Sequence, residues 1–384
     1  MRVLIVRLGS MGDILHALPS VVSLRAAHPD AYIGWAIERR WTPFLVADGT
    51  PFAGPRTPQR PLVDRVHVVN TLAWRRAPFS DATWTDVRNS FRDLRDERYD
   101  LAIDFQGSIK SAVVAQLSGT TSRIGFATPR EKPATMFYTT VVQPTGWHVI
   151  EQNLSLVLAV VPMNPPASTT GSDLPRDIAA ESAIESRLRV PRPDWGWKGG
   201  DRFAILNPGA GWAAKQWPAA HYGEVARALR DDGIFCVVNY GPGEEELARD
   251  VESASDGSAR PILCTLPEMT ALSRRAALFI GGDTGPMHLA VALGVPIVAL
   301  FGPTDPARTG PYSSNSIVLR HPSSRTQTSH SSNSDPGLLQ ITAANVVSAA
   351  RELLSVAPPR PGLAEGGDVL RVPHPDRFWK GGHS

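Results

Sequence analysis

The chain has 384 residues, a net charge of +2, 42% hydrophobic and 20% charged residues. That composition excludes a disordered or fibrous chain and leaves room for two domains with their own cores. Nearly balanced charge argues against nucleic-acid binding, which calls for a dense basic patch. The two cysteines, Cys236 and Cys264, build neither a disulfide framework nor a cysteine metal site.

Met1, Arg2 and the apolar residues 3–6 imitate a secretory start, but Arg7 and Asp13 interrupt it and no small-residue cleavage pattern follows. No apolar run reaches the ~20 residues that a bilayer span requires. The expectation is a cytoplasmic protein, at a membrane surface at most.

Residues 3–6 are a β-branched-rich apolar run, the mark of a buried parallel strand. Leu8-Gly9-Ser10-Met11-Gly12-Asp13 reads as a turn. Ile14, Leu15, Leu18, Val21 and Val22 then follow helical spacing. Pro19 is expected to kink that helix. Strands are predicted at 31–37, 66–69 and 101–104, and helices at 87–94 and from 111 to 117. Strands alternating with helices predict a parallel sheet covered on both faces. This unit is placed at 1–165.

Composition shifts at 166–200, an interdomain linker region rich in Pro, Ser, Thr and Gly around a helical piece at 178–188. A second alternating unit, 201–356, has predicted strands at 203–206, 235–239, 278–281 and 297–301. Helices are predicted at 219–229, 244–251, 287–293 and 343–354. A Pro- and Gly-rich tail, 357–384, follows. Residues 320–336 read as a long loop, whose His321 and His330 lack the partners of a metal site; no metal is expected. The fold class is therefore α/β, two Rossmann-like domains facing each other across a cleft. Ligands bind outside the carboxyl ends of such strands.

Candidate chemistry sits in those end loops. Asp13 is either a helix N-cap or a general base. Lys215 follows the loop Asn207-Pro208-Gly209-Ala210-Gly211 and suits a diphosphate, against a plain reading as a solvated surface lysine. Asp283-Thr284-Gly285 joins a strand to a helix. Its amides and the Thr284 hydroxyl suit phosphate oxygens, and Gly285 permits close approach. His288, one turn on, reaches the same ligand or is a satisfied helix-face histidine. Glu244 suits ribose hydroxyls, or merely faces a helix dipole. Arg75, Arg76 and Arg130 are candidates for an anionic substrate. No Gly-x-Gly-x-x-Gly follows the first strand, and no P-loop, Gly-x-Ser-x-Gly elbow or Asp-x-Asp motif appears.

The run Val3-Leu4-Ile5-Val6-Arg7-Leu8-Gly9-Ser10-Met11-Gly12-Asp13-Ile14-Leu15-His16 resembles the start of the lipopolysaccharide heptosyltransferases, glycosyltransferase family nine. Gly282-Asp283-Thr284-Gly285-Pro286-Met287-His288-Leu289-Ala290 and Phe301-Gly302-Pro303-Thr304-Asp305-Pro306 resemble that family's nucleotide-binding signature. Asp104-Phe105-Gln106-Gly107 and Lys215-Gln216-Trp217-Pro218 are also similar. Trp74-Arg75-Arg76 and Arg130-Glu131-Lys132-Pro133 resemble the acceptor-side segments of the heptosyltransferase I branch.

The resemblance implies a GT-B fold and inversion at the anomeric carbon without a metal or other cofactor. It implies an ADP-heptose donor on the second domain and an anionic lipid-linked sugar, Kdo-lipid A, on the first. Asp13 would be the base. Lys215 and the Asp283-Thr284-Gly285 turn would hold the diphosphate, with Glu244 near the ribose and His288 near the phosphates or sugar. Arg75, Arg76 and Arg130 would meet the acceptor. The alternatives are a different donor or acceptor within the family, a sugar-nucleotide epimerase, and a non-catalytic nucleotide-sugar-binding protein.

Overall fold

A computed structural model describes residues 1–159, 173–189, 202–327 and 333–356. The tail expected at 357–384, most of the linker, and His330 lie outside the described residues.

The first unit runs β1 (Arg2–Val6), α1 (Met11–Ala27), β2 (Tyr32–Ile37), β3 (Arg65–Val68), α2 (Thr71–Arg76), α3 (Asp81–Asp96), β4 (Leu101–Asp104), α4 (Ile109–Leu117), β5 (Ser122–Phe126), β6 (Thr140–Val142) and α5 (Val149–Leu158). Then come α6 (Ile178–Arg189), β7 (Phe203–Asn207), α7 (Ala219–Asp231), β8 (Phe235–Tyr240), α8 (Glu245–Ala254), β9 (Ala259–Leu263) and α9 (Leu266–Arg275). The chain closes with β10 (Leu278–Gly282), α10 (Gly285–Ala292), β11 (Ile297–Phe301), α11 (Pro306–Thr309), β12 (Ser316–Arg320) and α12 (Ala343–Val356).

The strands form two six-stranded sheets, ordered β3-β2-β1-β4-β5-β6 and β12-β11-β10-β7-β8-β9. All pairings within them are parallel. Counted from its own first strand, each sheet has the doubly wound order of a dinucleotide-type fold. The order reverses between β1 and β4 in one sheet and between β7 and β10 in the other. Each reversal opens a crevice at the strands' carboxyl ends, the place where such sheets bind ligands.

Burial on both faces explains the apolar strand sequences. Val3 and Ile5 of β1 face one cluster, Leu4 and Val6 the opposite one. Phe203 and Ile205 of β7 join the same cluster as Val3 and Ile5, so apolar packing is continuous between the two sheets' inner helices. Ala204 and Leu206 point into a third cluster with Trp217, Tyr222 and Val346.

Several expectations change. Helix α1 runs as one element to Ala27 with Pro19 inside it. Four strands went unforeseen: β5, β6, β9 and β12. They are three to five residues long and carry Arg, Gly, Pro or Thr in place of an apolar run. Four helices were also unforeseen, α2, α5, α9 and α11. Arg320 closes β12 instead of opening a loop.

Helices α7 and α8 approach closely at Gly223, where an added Cβ would lie 2.5 Å from the Ala254 carbonyl carbon. Backbone cannot yield as a flexible side-chain tip does. Gly223→Ala is therefore expected to lower unfolding free energy by about 1–3 kcal/mol, read from the midpoint of urea denaturation.

Candidate active site

Asp13 sits on the third residue of α1, not at its N-cap, which is Ser10. Its Oδ2 accepts from the Ser10 backbone N–H and hydroxyl, both at 3.1 Å. Its Oδ1 pairs with the Arg7 guanidinium at 2.7 Å, and its side chain keeps 35% exposure. Arg7 is the outward continuation of β1, buried, and also donates to the Phe105 carbonyl beyond β4. Burial pulls the Arg7 guanidinium below the ordinary arginine range, against the opposing charges of Asp13 and Asp104. Gln106 fastens the two loops by accepting from the Leu8 N–H at 2.9 Å. The first switch point thus presents one partly open carboxylate, held from both sides.

At the second switch point, Lys215 Nζ donates to Asp283 Oδ2 at 2.7 Å and to the Asp283 carbonyl at 3.1 Å. It also lies 5.4 Å from the centre of the Trp212 ring. The surface-lysine alternative fails: the Lys215 side chain is 14% exposed. Burial pushes the Asp283 carboxyl up, but the bond from His288 and the Lys215 charge outweigh it and hold it well below the usual carboxylate range. Thr284 is the N-cap of α10, and Gly285 its first residue. The first-turn amides of that helix lie beside a buried cation, and both favour an anion.

Glu244 caps α8 and accepts from the Gly241 N–H at 2.8 Å. A Cβ on Gly209 would lie 2.3 Å from its carboxylate oxygens, so Glu244 packs against the loop after β7. It joins the loops of β7 and β8 at the same sheet edge as Lys215.

The two halves meet through the N-terminal turns of α1 and α10. A Cβ on Gly285 would lie 2.6 Å from Met11 Sδ, and one on Gly12 would lie 2.8 Å from His288 Cδ2. Glycine at both places lets the two helix starts touch. Asp13 is the residue after Gly12, and Asp283 lies two before Gly285, so the carboxylate of the first switch point and the cation of the second share one interface.

Arg130 lies at that edge: its backbone N would be 3.2 Å from a Cβ on Gly107. Its charge is felt by Arg7. Arg75 and Arg76 occupy the exposed last turn of α2. That helix is tied to the neighbouring loops at its other end, where Thr71 donates to Glu38 and accepts from Lys110. Among the described residues neither arginine contacts Asp13. His321 is half-buried and bonds Ser323. No cluster of three or more His, Cys, Asp or Glu among the described residues is arranged to hold a metal ion. No helix among them is long and apolar enough to cross a membrane.

Sequence reasoning missed Arg7, His16 and His148. His16 Nε2 lies 3.1 Å from His288 Nδ1, and His288 Nε2 lies 3.2 Å from Asp283 Oδ1. The usable signal for Arg7 was a charged residue directly extending the apolar run at 3–6. For His16 it was a polar residue on the buried face of α1.

Two doubly wound domains with facing switch points, one bearing a carboxylate and the other a cation beside a helix start, define the GT-B architecture of glycosyltransferases. Residues 87–338 match the model of glycosyltransferase family 9 (heptosyltransferase). The chain belongs to that family and is a glycosyltransferase. It is 30% identical over 330 residues to lipopolysaccharide heptosyltransferase 1 of Escherichia coli K12, covering 84% of this chain and 94% of that one. The Pseudomonas aeruginosa protein of the same name is 28% identical, covering 83% of each chain. Among solved structures, E. coli heptosyltransferase WaaC with ADP superposes with a TM-score of 0.72 at 27% identity, covering 92% of this chain and all (100%) of that one.

Proposed function

We propose that this glycosyltransferase moves L-glycero-D-manno-heptose from an ADP-sugar to the Kdo of lipid A in lipopolysaccharide core synthesis, with inversion and without a metal. The observation that carries the reading is the shared interface of Asp13 with the Lys215–Asp283 pair and the start of α10. The similarity to heptosyltransferase 1 proteins supports the choice of sugar and acceptor, and the WaaC structure with ADP supports the nucleotide.

Residues 1–165 hold the acceptor and 201–356 the donor. Asp13 takes the proton from the acceptor hydroxyl as its oxygen attacks the anomeric carbon. The new C–O bond forms as the bond to the diphosphate breaks from the opposite face, and ADP leaves with the electron pair. Lys215 and the α10 amides, with the Thr284 hydroxyl, meet the charge that develops on it; Asp283 orients Lys215. Glu244 takes the ribose hydroxyls and His288 the phosphates or sugar. Arg130, with Arg75 and Arg76 on the outer rim, draws in an anionic acceptor. That acceptor is lipid-linked, so the enzyme works in the cytoplasm, peripheral to the inner membrane.

The test is transfer from ADP-heptose to Kdo-lipid A, with the product's anomeric configuration read by NMR. Excess chelator is expected to leave the rate unchanged, because protein cations and amides already face the leaving group. Loss of transfer under chelator, restored by a divalent ion, overturns metal independence. ADP-heptose binding without product would redirect the search to another acceptor.

A further inference from the structure

Three histidines meet where the domains touch: His16 on α1, His148 at the start of α5, and His288 on α10. They are 6%, 7% and 7% exposed respectively. The His16 and His288 rings lie 4.2 Å apart, edge to face, and those of His16 and His148 lie 5.8 Å apart. His148 Nδ1 accepts from the Ile150 N–H, so its proton sits on Nε2, which donates to the Gly310 carbonyl of the second domain at 2.9 Å. The His16 carbonyl accepts from Asn153 on α5 at 3.0 Å, which fixes this stretch of α1 against the first domain.

His16 therefore reaches from the helix that carries Asp13 to the helix that carries the donor-side turn. It lies one helical turn beyond Asp13. We propose that His16 is a positioning residue whose bond to His288 clasps α1 to α10 and holds Asp13 in register with the Lys215–Asp283 pair. The functional consequence rests on the reading of Asp13 as the base; the clasp itself does not.

The contact has its own proton logic. Nδ1 of His288 and Nε2 of His16 need one hydrogen between them. That holds when both rings are neutral or when one carries an extra proton. With an extra proton on both rings, two N–H groups face each other and the clasp is lost. His16 is faced by His288, His148, Asp283 and Arg7. Burial, then His288 and His148, drive its pKa well below the ordinary 6.5 in the clasped form, against the pull of Asp283. The clasped form binds fewer protons at His16 than an opened one. Closure is thus fully favoured above the ordinary histidine range and weakens as pH falls below it.

The experiment places spin labels on D96C and D250C in the full chain carrying C264S and measures the interdomain distance distribution with ADP present. At about pH 8 the parent chain and H16Q, whose amide still donates, are expected to be narrow, and H16A broad. At about pH 5.5 the parent chain broadens and H16Q, which cannot titrate there, does not. In kinetics, H16A lowers kcat about 10–100-fold with ADP affinity within about twofold, and H16Q recovers most of the loss. Equal distributions for the parent chain and H16A overturn the clasp, as does acid broadening of H16Q like that of the parent. Full transfer by D13N would instead overturn the base assignment, leaving the distance result to judge the clasp alone.

Discussion

Asp13→Asn is expected to lower heptose transfer by about 10²–10⁴-fold while ADP-sugar affinity changes little. The substitution keeps shape and one acceptor oxygen, so α1 retains part of its cap. It removes the negative charge and, with it, the capacity to take a proton as the acceptor oxygen attacks. Arg7 loses its ionic partner and keeps its bond to Phe105. That change is expected to cost about 1–3 kcal/mol of stability, visible as a lower melting temperature. Rates are therefore compared well below the variant's melting point, with ADP-sugar binding measured by calorimetry on the same sample. Near-normal turnover would remove Asp13 from the chemistry, and lost ADP-sugar binding would mean that the change had disturbed the site as a whole.

Lys215→Met should combine a catalytic and a stability loss. The methionine fills most of the lysine's volume but leaves Asp283 buried without its cation. Breaking a buried pair in this way costs about 3–5 kcal/mol, and removing one charge from the leaving-group site costs about 10²–10³-fold in turnover. Asp283 is held below its ordinary range of 3.8, so its stabilising effect is complete above that pH and is lost as pH falls below it. With Lys215 gone the depression shrinks, and the midpoint of acid unfolding moves to higher pH. The double variant, Lys215→Met with Asp283→Asn, leaves no uncompensated charge, and the amide oxygen introduced by the second change can still accept from His288. Stability should largely return while transfer stays low. Recovery of both would place Lys215 in the structure and outside the reaction.

Much of the architecture was legible because a strand buried on both faces can hold little except apolar residues. Positions 3–6, 203–206, 278–281 and 297–301 announce themselves in that way, and the loops that follow them carry the site residues. The edge and near-edge strands β5, β6, β9 and β12 did not. Partly exposed, they tolerate Arg123, Pro261 and Arg320, and only ladder hydrogen bonds with their neighbours make them strands.

Asp13, Lys215, Glu244 and Asp283 could be picked out as candidates from the linear chain, since each follows a strand end where amides and helix starts gather. Their partners could not. Lys215 with Asp283 across 68 residues and His16 with His288 across 272 are pairings of distant segments, and Arg7 meets Asp13 only through the way the turn from β1 into α1 folds back. Local sequence specifies a side chain's backbone conformation and the face of its element. Which groups meet, and so which charges are neutralised and which protons are shared, depends on how two sheets and their inner helices pack, and only the tertiary structure decides that.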